Sequence, residues 1–162
     1  MKDNNSYSTL QITTLVILRL VIGWHILYEG IAKLLNPNWS SIGFLSESKW
    51  IFSDFANWII SNPGVLKTVD FLNTWGLIAI GTALMLGIFM RFAAVAGTIL
   101  LLIYYLNNPP LIGLEYSIPS EGSNIIVNKT LIEAIALFLL AVFPVHAVYG
   151  LESLFTNKSK KK

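Results

Sequence analysis

Residues 10–35 read LQITTLVILRLVIGWHILYEGIAKLL, and they stop at Asn36-Pro37. A helix needs about 20 predominantly apolar residues to cross the hydrocarbon core of a bilayer, and this stretch is longer than that. It is not a plain lipid-facing anchor, because it carries Arg19, His25, Glu29 and Lys33. Ionisable groups at membrane depth are costly, so they face a bundle interior, pair with one another or mark a functional path. The stretch therefore predicts a first membrane helix with neighbours to receive its charges.

Working outward, three further apolar runs supply those neighbours. Residues 71–90 carry no charge, and Asn62-Pro63 offers an earlier start as an N-cap followed by proline in the first turn. Residues 92–106 are shorter and end at Asn107-Asn108-Pro109-Pro110, and residues 131–148 are opened by Asn128-Lys129 and followed by Gly150. Arg91 falls between the second and third runs, which predicts a tight helical hairpin there with arginine at the turn. Trp50 to Ser61 sets Ser53, Asp54, Asn57 and Ser61 against Ile51, Phe52, Phe55, Trp58 and Ile59, the pattern of an amphipathic helix at a membrane surface. The expected fold class is all-α: an integral membrane four-helix bundle with an extra amphipathic outer-surface helix. Residues 107–128, with Pro109, Pro110, Gly113 and Pro119, read as an irregular connection.

Composition agrees. The chain has 162 residues, 54% of them hydrophobic and 12% charged, with a mean hydropathy of +0.64. Soluble domains carry about 25% charged residues. The net charge of +2 sits mostly in Lys158, Lys160, Lys161 and Lys162, a distribution that points to anionic lipid headgroups and away from nucleic acid. There is no cysteine, which excludes disulfides, thiol relays and thiolate metal sites. The polar residues 1–8 and the absence of a small-residue cleavage site suggest a retained first helix instead of a cleaved signal. A membrane domain is expected over residues 1–156 and a disordered basic tail over 157–162.

Basic residues flanking the spans set orientation. Four spans place Lys2, Arg91 and the tail lysines on one side, against Lys49, Lys67 and Lys129 in the longer loops of the other. Both termini are thus expected in the cytoplasm.

In that topology the polar residues fall at one level. Glu29 and Lys33 end the first helix, Asp70 and Asn73 begin the second, Tyr104, Tyr105 and Asn107 close the third, and Glu133 begins the fourth. Four helices contributing at one depth suggest a shared polar pocket. His25, Glu29 and Lys33 recur every four residues and share one helix face. Two readings stay open: a structural Glu29–Lys33 ion pair with His25 in an interhelical hydrogen bond, or a ligand and proton site. His25 and His146 lie too far apart along the bundle to ligate one haem iron, and no metal site is expected. Arg19 falls about 14 Å along the first helix at 1.5 Å per residue, near mid-membrane, where it would anchor a ligand headgroup or organise the bundle, unless it snorkels to the headgroups. Glycines and alanines at Gly76, Gly81, Gly87, Ala93, Ala94, Ala96 and Gly97 read as close helix packing. The five tryptophans fit interface belts.

The run Arg19–Gly23–Gly30–Lys33, the turn Leu86-Gly87-Ile88-Phe89-Met90-Arg91, the opening Asn128-Lys129 to Glu133 and the exit Tyr149-Gly150-Leu151-Glu152 together resemble the DoxX family over nearly the whole chain. That resemblance implies a four-helix bacterial inner-membrane protein, related to subunits of quinone-linked oxidoreductases and of complexes that respond to oxidative stress. The chain departs from a common family pattern in having Asn73 where a glutamate is frequent early in the second helix, so thiosulfate chemistry is not carried over. The expectation is a membrane subunit of a quinone-linked oxidoreductase system, without a redox cofactor of its own. His25 and Glu29 would be its catalytic pair, and Arg19, Lys33, Asn73, Tyr104 and Glu133 would bind the ligand. Its partners would be the lipid bilayer and an oxidoreductase protein, with homo-oligomerisation left open. The alternative is a non-catalytic assembly subunit or a small-solute carrier.

Overall fold

The computed structural model describes residues 7–111, 113, 114, 116 and 125–143. Six helices follow in order: α1 (Thr9–Leu35), α2 (Ile42–Ser46), α3 (Ser53–Ser61), α4 (Pro63–Leu86), α5 (Met90–Asn107) and α6 (Lys129–Val142). Among the described residues there is no strand. Three helices, α1, α4 and α5, are long and apolar enough to cross a membrane. With α6 packed alongside α5 they form an all-α bundle of four helices, with α2 and α3 as short additions between the first two spans. The expected end of the last span at 148, the exit motif, His146 and the lysine tail lie outside the described residues.

Local chemistry sets the helix ends. Ser8 and Gln11 form a reciprocal capping box at the start of α1, with Ser8 N donating to Gln11 Oε1 (2.8 Å) and Gln11 N to Ser8 Oγ (3.2 Å). Pro63 occupies the first turn of α4, so this helix begins at the Asn62-Pro63 signal and not at residue 71. Asn128 caps α6 by accepting from Leu131 N at 2.9 Å. The hairpin between α4 and α5 turns at Gly87 (φ 66°) and Phe89 (φ 47°), both left-handed. Arg91 is therefore not the turn itself, as the sequence suggested, but the second residue of α5. Glycine ends α4 because it adopts positive φ without a Cβ clash, and Ile88 N closes the turn on Ala83 O at 3.1 Å.

The helices alternate in direction, and glycines fix their separation. α1 lies antiparallel on α4, its most extensive contact. A Cβ built on Gly81 would meet the backbone N of Leu27 at 2.5 Å and its Cα at 2.6 Å, and one on Gly30 would meet Ile78 N at 2.9 Å. Gly23 packs on Leu84 in the same way, at 3.0 Å. Gly97 of α5 makes room for Leu137 of α6, which a Cβ would meet at 2.8 Å. Gly76 differs from the expectation of packing: nothing lies within 4 Å of its built Cβ. The core gathers Ile22, Ile26, Leu77, Leu84, Met90, Leu137 and Leu140 between the four helices. Arg19 is buried in this core, with Nη1 4.0 Å from Met90 Sδ.

α2 and α3 close over one end of the bundle. Leu45, Ala56 and Ile59 form a small second core against Val65, Leu66 and Val69 of α4. Asp70 of α4 fastens the approach to α2, accepting from Ser40 Oγ (2.9 Å), Ser41 N (2.9 Å) and Ser41 Oγ (2.5 Å). Asn107 of α5 holds its other side by donating to Phe44 O at 3.3 Å. The apolar residues of α3 divide between two faces. Ala56 and Ile59 turn inward, while Phe55 and Trp58 stack on each other 5.8 Å apart and stay exposed. Beyond α5, Tyr116 ties the connecting segment to this layer: its hydroxyl donates to Pro109 O at 2.7 Å and its ring lies 5.3 Å from Lys49 Nζ. Burial, and then the charge of Glu47, push its phenol above the ordinary range.

The glycine seam predicts an asymmetric response to one methyl group. Gly81→Ala should lower stability in detergent by about 1–3 kcal/mol, since the clash is with backbone and no flexible side chain can yield. Gly76→Ala should leave it unchanged or raised. Equal unfolding midpoints for the two variants would contradict the packing described.

Candidate functional site

Four helices bring the predicted polar residues to one level. α1 supplies His25, Glu29 and Lys33, α4 Asn73, α5 Tyr104 and α6 Glu133. His25 Nδ1 lies 2.7 Å from Glu133 Oε1, joining α1 to α6. With Glu133 as a carboxylate, Nδ1 is the donor, and Nε2 remains as the ring's second polar atom. The Glu133 side chain is 15% exposed and that of His25 50%, so the acid sits inside the seam and the imidazole at its edge.

Lys33 is held from several sides. Its Nζ donates to Asn73 Oδ1 at 3.3 Å and lies 3.9 Å from Glu29 Oε2. The same ammonium is 5.2 Å from the centre of the Trp39 ring and 5.7 Å from that of Tyr104, within the range of cation–π attraction. Only 16% of its side chain is exposed, against 50% for Glu29. The cation is thus enclosed, and its acidic partner opens to the surface. The Tyr104 hydroxyl is buried beside Asn73, without a hydrogen bond of ordinary geometry among the described residues.

Two cavities share this cluster. One, of ≈ 140 Å³, has His25, Glu29, Lys33, Tyr104, Lys129, Thr130 and Glu133 as its polar wall, with Ile26, Leu77 and Leu101 behind them. The other, of ≈ 350 Å³, runs from Glu29, Lys33, Asn73 and Tyr104 under Trp39, Ser40, Ser41 and Phe44. Of the residues singled out in the sequence, His25, Glu29, Lys33, Asn73, Tyr104 and Glu133 are brought together. Arg19 is not: it borders neither of these two cavities and packs at Met90 instead. His25 meets Glu133 across the bundle, whereas the four-residue spacing paired it with Glu29. Trp39 and Asp70 are the residues whose part here was missed. The tryptophan looked like an interface residue, and nothing in its spacing announces a ring over Lys33. Asp70 stood at the right level, but its partners lie in a connection that shows no pattern. Among the described residues no group of three His, Cys, Asp or Glu could hold a metal ion.

The fold and the site together define a multi-pass helical membrane protein whose polar residues converge between the helices near one end. The family model that matches, DoxX, spans residues 14–106. That is more than half of the chain and runs from within α1 almost to the end of α5, so this protein belongs to the DoxX family. The family is associated with membrane-linked oxidoreductase function. Comparisons with curated proteins and with solved structures return no match. Glu133 lies beyond the matched stretch, while its partner His25 lies within it.

The cross-helix pair can be tested apart from any ligand. In a double-mutant cycle, His25→Ala and Glu133→Ala should be non-additive in unfolding free energy by about 1.5 kcal/mol, the scale of a hydrogen bond to a charged group. Additive losses would mean that the two residues do not interact.

Proposed function

We propose that the protein is the quinone-binding membrane subunit of an oxidoreductase system, seated in the bacterial inner membrane. The observation that carries this reading is the His25–Glu133 contact on the wall of a cavity that also presents Glu29, Lys33 and Tyr104. A quinone carbonyl requires a hydrogen-bond donor, and its reduction requires protons as well as electrons. Doubly protonated, His25 would keep Nδ1–H on Glu133 and present Nε2–H to the carbonyl as donor and proton source, and Glu29, half exposed, stands where a replacement proton could arrive from outside. The enclosed Lys33 ammonium would favour negative charge developing on a carbonyl oxygen. The buried Tyr104 hydroxyl, beside Asn73, would be a second donor. Electrons would come from a partner protein. We assign Arg19 to organising the bundle, since it is buried away from the two cavities.

One observation favours the non-catalytic alternative, an assembly subunit or solute carrier: Lys33 already has Asn73, Glu29 and two rings around it. Titration of the purified protein with a water-soluble benzoquinone, followed by tryptophan quenching, decides between them. Saturable binding is expected, weakened about tenfold by His25→Ala, the equivalent of about 1.4 kcal/mol. No saturation, or affinity untouched by His25→Ala and Glu133→Gln alike, would sink the quinone reading.

The orientation we propose combines the alternation of the helices with the distribution of basic residues in the sequence. The start of α1 and the α4–α5 turn lie at one end and α2–α3 at the other, so with the basic residues inside the site belongs to the outer half and both termini to the cytoplasm. A C-terminal alkaline phosphatase fusion should be inactive in cells, and an active fusion would reverse the assignment.

A further inference from the structure

A third cavity, of ≈ 290 Å³, lies between α4 and α5 beneath α2 and α3. Its character differs from that of the polar cluster. Phe44, Phe52, Ile59, Leu72, Leu100 and Ile103 dominate its wall. Its polar lining residues are Ser41, Asn73, Tyr104 and Asn107, and of these Ser41, Asn73 and Tyr104 also line the cavity around Lys33. At the other side the wall is open. Phe55, Leu72 and Ile103 line the cavity, yet they are 56%, 63% and 49% exposed on the outer surface of the bundle. In a chain that spans a bilayer, that surface faces acyl chains. The space is thus a short apolar passage from the lipid to the polar residues.

We infer that this passage holds the first isoprenoid units of the quinone's tail, with the head on the Lys33–Tyr104 side. The inference rests on the quinone reading and extends it to the hydrophobic part of the ligand. Pockets for drug-sized molecules range over about 300–1,000 Å³. A space at the bottom of that range takes only the start of a long tail. The remainder leaves between Leu72 and Ile103 into the membrane, so one ligand is held partly in protein and partly in lipid. The roof depends on the Asp70 and Asn107 contacts that fasten α2. Four hydrogen bonds make that fastening, three to the Asp70 carboxylate of α4 from Ser40 and Ser41 and one from Asn107 of α5 to Phe44 O.

Ile103→Trp and Leu72→Trp fill the mouth from positions already half exposed, where bulk is tolerated. Val21→Trp adds the same bulk to an exposed position on α1, 61% accessible, outside this cavity. Binding of a tail-less benzoquinone and of the same head with two isoprene units is measured for the wild type and each variant in nanodiscs. Comparing variants for one ligand cancels partition into lipid. The two mouth variants should weaken the prenylated ligand about tenfold and leave the tail-less one within about twofold, with Val21→Trp changing neither. Tail-less binding retained in the wild type and prenylated binding unaffected by both mouth variants would overturn the tail site while sparing the quinone reading; that is also the result if a membrane lipid occupies the passage. Equal loss of both ligands in both mouth variants would overturn it as well. Failure of the wild type to bind either ligand would overturn both proposals together.

Discussion

The close approach of α1 and α4 is the constraint on which the remaining geometry depends. Gly81 lets the backbone of Leu27 come within the space a methyl group would take, and Gly23 and Gly30 repeat the contact on either side. In lipid no hydrophobic drive pushes helices together, so small residues and dense van der Waals contact supply the association. The glycine seam fixes both distance and register. It sets Lys33 of α1 opposite Asn73 of α4, and it leaves Ile22, Ile26, Leu77 and Leu84 facing a common interior. Were the two helices farther apart, the Lys33 ammonium would lose Asn73, its hydrogen-bond acceptor on α4.

The opposite side of α1 is built differently. α1 and α6 share few close backbone contacts, and the polar bridge of His25 to Glu133 marks their seam. α5 and α6 are a tightly packed pair of their own, with Gly97 admitting Leu137. The bundle therefore consists of two glycine-packed pairs that meet along looser seams. The His25–Glu133 bridge lies at one such seam and the apolar cavity at the other, where looser packing leaves room for them.

The fold was largely legible in the sequence because its long helices announce themselves by length, apolarity and end signals. Asn62-Pro63 and Asn128 proved to be real starts, and the charges within residues 10–35 truly required neighbours. What stayed hidden depends on contacts remote in sequence. The sequence leaves an interhelical hydrogen bond of His25 as one of two open readings, but its partner Glu133 is 108 residues away and no local spacing points to it. α2 has only five residues, too few for a periodic pattern, and it is held by Asp70 and Asn107 from other helices. Arg91 looked like the turn because it is the charge between two apolar runs, but backbone freedom at Gly87 decides where α4 stops. The level of the polar cluster was readable from topology alone. Its internal pairing was not, since a level says nothing about which side of each helix faces inward.

Going around the bundle, the helices follow the order α1, α4, α5, α6, so the α1–α6 seam and the α4–α5 cleft are diametrically opposed. Water reaching His25 and Glu29 and an apolar molecule entering past Leu72 and Ile103 would not compete for one doorway. The two sides meet inside the bundle at Tyr104, which lines the apolar cavity and both polar ones. A single phenol of α5 thus stands where an apolar and an ionisable surface, opened on opposite flanks of the bundle, come closest to each other.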